Sequence, residues 1–127
     1  MIHLSQRIYV CKADRASELK SLLEYDPYLD KSLTEEQLHA LKEKEESVVI
    51  FARQDYLLKD GISLGMDRES SYLYLNATDD FLDKAEKVLK EKIDGITRAP
   101  EDLERQIITR IETERKESEQ GLGLIFG

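Results

Sequence analysis

Tryptophan is absent from this chain, cysteine occurs once, at Cys11, and only two prolines interrupt the 127 residues. A single thiol excludes an internal disulfide framework and any zinc site built from several cysteines, and it argues against an oxidising compartment. Long apolar runs are missing as well. The longest, such as 47–52, falls far short of the roughly eighteen residues needed to span a bilayer. No basic stretch followed by an apolar segment opens the chain, so no secretory signal is expected and the cytoplasm is the default compartment. Positive charge is also in deficit: 19 Lys and Arg face 27 Asp and Glu, a formal net charge of −8. Such a field repels phosphates, which disfavours nucleic acid and anionic membranes as partners.

What is present is a well-mixed chain, 40% apolar and 36% charged, too apolar and too periodic for disorder. Abundant Glu, Lys and Arg with few Met or Cys follow a tendency of thermophilic proteins. The length suits one domain spanning 1–127, with no repeat and no low-complexity linker to divide it. Residues 112–127 read as a projecting helix end followed by an apolar tail.

Alternation over residues 7–13 predicts a strand with Ile8 and Val10 on one face and Tyr9 and Cys11 on the other. Asp14 reads as a helix cap, and Ala16, Leu19, Leu22 and Leu23 then recur at helical spacing up to Asp26-Pro27. Ser32 with Glu35, and Thr34 with Gln37, both fit a capping box, in which side chains at the two ends of the first turn satisfy each other's backbone donors. The helix they start has a thin apolar face of Leu38, Ala40 and Leu41. The β-branched run Val48 to Ala52 reads as the central strand. Asp60-Gly61 is a turn signal that separates Tyr56-Leu57-Leu58 from the alternating Ile62, Leu64 and Met66, suggesting a hairpin. Residues 71–77 predict a third strand of that meander, its tyrosines and leucines facing opposite ways. Thr78 opens a helix striped with Phe81, Ala85, Val88, Leu89 and Ile93. Pro100 opens another, with Leu103, Ile107, Ile108 and Ile111 on one side, expected to project from the body or to fray before Gly121.

This order implies an α+β fold: a largely antiparallel sheet of three to five strands with helices packed on one face, loosely the split-βαβ (ferredoxin-like) plan. No cofactor is expected. No glycine stands in a phosphate-cradling or nucleophile-elbow spacing. Asp79-Asp80-Phe81-Leu82-Asp83 resembles the DDxxD motif of isoprenyl diphosphate synthases, where carboxylates one turn apart hold magnesium. Here the motif follows a strand in a short mixed chain, where acids in a first turn stabilise the helix dipole, and no metal site is expected.

Three functional expectations follow. The leading one is a small non-catalytic binding or assembly protein that forms a homodimer, through a sheet face bearing Tyr72 and Tyr74 or through the tail residues Leu122, Leu124, Ile125 and Phe126. Exposed apolar ends are hazardous, so that tail is expected to fold back as a strand or groove plug, or to reach another chain. The second is a small enzyme whose acid-base groups converge only in three dimensions, with Arg53, Asp55, Tyr56 and His39 as candidates. The third is RNA binding on an aromatic platform of Tyr9, Phe51, Tyr72 and Tyr74.

Overall fold

The computed structural model of the chain describes residues 3–44 and 48–126, with side chains as far as residue 118. Four strands, β1 (Ser5–Lys12), β2 (Asp55–Asp60), β3 (Ser70–Ala77) and β4 (Thr97–Arg98), form one antiparallel sheet in the order β2-β3-β1-β4. Four helices accompany them: α1 (Ala16–Glu24), α2 (Glu35–Glu43), α3 (Asp79–Lys92) and α4 (Glu101–Phe126). The α+β class expected from the sequence is therefore present. β3 lies between β1 and β2, which α1 and α2 connect, and β1 lies between β3 and β4, which α3 connects.

Alternation puts Tyr9 and Cys11 of β1 and Leu73, Leu75 and Ala77 of β3 on one face, where Leu19 and Leu23 of α1 and Leu82, Ala85 and Leu89 of α3 cover them. Several of these leucines are fully buried, each contributing about 2 kcal/mol relative to an exposed side chain. The opposite face carries Ile8, Tyr72 and Tyr74, and it is not open. Ile107 and Ile111 of α4 pack there, joined by Leu64 from the loop after β2. Helices on one face thus describes α1 and α3 only. The second apolar register of β1 and β3 forms a smaller core of its own, and α4 is the element that removes it from water.

Two strand expectations fail. Val48 to Ile50 has no regular structure, and Phe51–Arg53 is a single 3-10 turn. A short apolar run says only that a segment is buried: Phe51 plugs the core between α1 and α3, edge-on to Phe81 at 6.1 Å. Ile62, Leu64 and Met66 do not form a strand either. Gly61 O accepts from both Leu64 N and Met66 N, curling the loop so that Leu64 is fully buried, Met66 packs half-buried beside it and Ile62 points to solvent. β2 consequently pairs with residues 71–76.

Asp14 falls within a 3-10 turn, and no side chain caps α1. The Thr34–Gln37 capping box does form, with hydrogen bonds of 2.8 and 3.2 Å. The last helix neither frays before Gly121 nor turns back as a strand: its backbone stays helical to Phe126.

Gly61 is where the loop closes on itself, since a Cβ there would stand 1.7 Å from the Asp67 carbonyl oxygen. Gly61→Ala must open the loop and loosen Leu64, and urea denaturation is expected to show a loss of about 2 kcal/mol.

Candidate functional site

The four acid-base candidates do not converge. Arg53 leaves its 3-10 turn toward Asp26, its Nε 2.9 Å from Oδ2, and lies over the Tyr28 ring at 5.0 Å. Asp55, at the start of β2, faces α4, where Arg115 Nη2 approaches to 3.0 Å and holds its carboxyl below the usual aspartate range. Tyr56 follows on the other face and packs against the α1 and α3 core. His39 stands exposed on α2, 3.1 Å from Glu43 on the next turn. Neighbours in sequence at a strand entrance alternate faces, which separates Asp55 from Tyr56 by the thickness of the sheet. An acid and a base acting on one substrate need a shared space, and these side chains have none.

The aromatic platform is likewise divided. Tyr72 and Tyr74 are buried beneath α4, while Tyr9 and Phe51 belong to the opposite core. Neither RNA bases nor a partner subunit can stack on a face already filled by Ile107 and Ile111, so Tyr72 and Tyr74 are corrected from partner-binding to core residues. Tyr74 Oη accepts from Gln6, and Arg115 lies over its ring at 5.2 Å. The tail candidates Leu122, Leu124, Ile125 and Phe126 occupy the last turns of α4, and their side chains lie outside the described residues.

Asp79 and Asp83 turn toward Arg7, whose guanidinium is 4.0 and 3.0 Å away, with Glu86 at 3.7 Å. A cation from β1 thus already occupies the position at which carboxylates one turn apart would gather a metal. Among the described residues no group of three His, Cys, Asp or Glu side chains is arranged to hold one. The Cys11 thiol is buried in the core, and burial pushes its pKa up, away from nucleophilic use.

The constellation that sequence spacing did not reveal centres on Glu104. Its carboxylate is nearly buried, takes two hydrogen bonds from Arg98 at 2.9 and 2.8 Å, and accepts the Ile8 N–H at 3.0 Å. β4 pairs through Thr97 and Arg98, and Ala99 N–H still donates to Ile8 O. Glu104 then supplies the acceptor that the strand no longer does. Burial opposes its charge, but Arg98 and the Ile8 N–H outweigh that and depress its pKa. The only sequence signal for Glu104 was an acid on the first turns of a helix, which is common to α3 and α4 alike.

Two surfaces among the described residues bear on binding. A cleft of about 470 Å³ lies between α2 and the segments 25–33 and 48–49, lined by Pro27, Leu33, Leu41 and Val49 among others. The second is the outer edge of β2. Gly61 N–H donates to Ser70 O within the ladder register, so the odd-numbered residues of β2 bond to β3. The backbone groups of Tyr56 and Leu58, and the Asp60 N–H, point away from the sheet, and among the described residues nothing pairs with them.

Glu104→Ala strands the Ile8 N–H and frees Arg98, and chemical denaturation at neutral pH is expected to show a loss of about 2 to 3 kcal/mol. The folded-state pKa of Glu104 lies below its unfolded value, so this stability is complete above the ordinary glutamate range and is lost as pH falls through the depressed value. Glu104→Gln should therefore flatten the acid limb of the stability profile; an unchanged limb would contradict the assignment. Comparison with protein-family models, curated proteins and solved structures finds no match for this chain, and a functional reading rests on its geometry alone.

Proposed function

We propose that the protein is a small non-catalytic binding or assembly protein that associates with a second copy of itself through the C-terminal end of α4. The separation of Arg53, Asp55, Tyr56 and His39, each turned toward a different neighbour or toward solvent, supports a binding role over a catalytic one. A cytoplasmic setting accords with the free, buried Cys11.

One observation carries the self-association. α4 reaches the outer strand at Glu114 and Arg115, which pair with Lys59 and Asp55 of β2, and its backbone then continues as helix to Phe126. Residues 116–126 add about 16 Å of helix. Lys116, Glu117 and Ser118 are exposed, and Leu122, Leu124, Ile125 and Phe126 follow in the last turns. Apolar residues at the end of a helix that has already crossed its own sheet are suited to burial against the same helix of another molecule.

Light scattering at micromolar concentration is expected to give a dimer mass, and deletion of residues 121–127 to weaken the dimer by roughly tenfold or more. A monodisperse monomer whose mass is unaffected by that deletion would remove the reading.

A further inference from the structure

An unpaired strand edge is a template for another strand, and proteins ordinarily blunt such edges or cover them. The outer edge of β2 is neither bulged nor capped by another element among the described residues. Its half-buried Tyr56, Leu57 and Leu58 lie at the rim of the sheet. On the side facing α4, Asp55, Leu57 and Lys59 form a row with a charge of each sign flanking an apolar residue. Arg115 and Glu114 hold the two ends of that row from above, so a strand laid beside β2 enters beneath the continuing helix.

We infer that the outer edge of β2, roofed by α4, receives an extended peptide segment of a partner protein as a fifth, antiparallel strand. The segment's chemistry follows from the row it faces. It should carry an acid opposite Lys59, a branched apolar residue opposite Leu57 and a base opposite Asp55, because opposed residues in an antiparallel pair share a face. Main-chain bonds to Tyr56 and Leu58 would supply most of the affinity, and the side chains of the row the selectivity.

A second copy's β2 fits this slot poorly. Pairing two β2 strands about Leu57 requires a twofold axis perpendicular to the sheet. α4 crosses β2 between Lys59 and Asp55, over that same point, so the axis would direct two helices into one space. This edge is a different surface from the helix end proposed for self-association, and the two succeed or fail independently.

The test is amide hydrogen exchange read residue by residue on the full chain. In the peptide-free protein, the amides of Leu57 and Lys59 should be protected by the β3 ladder, and those of Tyr56, Leu58 and Asp60 should exchange at least about a hundredfold faster. The probe is a synthetic peptide with Glu, Val and Lys at alternate positions, compared with its counterpart in which Glu and Lys are exchanged. The first should slow exchange at Tyr56, Leu58 and Asp60 and bind roughly tenfold more tightly than the second. Lys59→Glu should reverse that preference; because it also sets a second carboxylate against Glu114 at a half-buried position, the uncharged Lys59→Gln is measured beside it and should weaken the preference while shifting the melting temperature by no more than a degree or two. Absence of binding up to millimolar peptide, binding without protection at these three amides, or equal affinity for both peptides would overturn the inference. Protection of the three amides that depends on protein concentration alone would assign the edge to a second copy instead.

Discussion

The carboxylate of Glu104 is the contact on which the two-sided architecture depends. It substitutes for a strand at the outer side of β1, accepting the Ile8 N–H where β4 has run out, and it is neutralised in place by Arg98. A carboxylate so nearly buried would be costly alone, so acid, guanidinium and backbone donor are one unit rather than three contributions. Once it is set, the helix has a fixed starting point, and Ile107 and Ile111 fall one and two turns further along, over Ile8, Tyr72 and Tyr74. Gln6 with Glu112 and Asp55 with Arg115 then tie the same helix to β1 and, beyond β3, to β2.

Covering both faces changes where the protein can act. A sheet with one open face offers a platform, and this one has none, because the tyrosines that would furnish it form the second core. Charge is handled in the same way. Arg7 is consumed by Asp79, Asp83 and Glu86, Arg53 by Asp26, and Arg98 by Glu104. The acidic excess of the composition therefore surrounds a body whose arginines are largely committed to internal partners. Among the described residues the open surfaces lie at the margins: a strand edge, a helix end and a cleft beside α2.

Much of the fold was legible in the sequence because it was written in local periodicity. Alternation located β1 and β3 and sorted the leucines of β3 from its tyrosines, and the Thr34 capping box and the stripe after Thr78 located two helices. Failure came where apolar content had no unique local meaning. Val48 to Ala52 is as apolar as a strand but serves as a plug, since Phe51 is needed between two helices. Ile62, Leu64 and Met66 alternate, yet the backbone of Gly61 gathers the loop before a strand can extend. The position of α4 was not legible at all, because it depends on a bond between Glu104 and a backbone amide 96 residues away in sequence. The acid-base candidates failed for a related reason: adjacency along a strand places side chains on opposite faces.

α2 stands apart from this interlocked body. None of its residues is buried, and its first turn is secured by side chains of its own segment, Thr34 and Gln37. Nine residues are too few for a helix to persist by propensity alone. Its unfolding therefore has little to do with the melting of the sheet, and it can open and close many times during the lifetime of one folded molecule. A protease or an unfoldase meeting this protein would find its first purchase there, at a segment that yields while both cores stay intact.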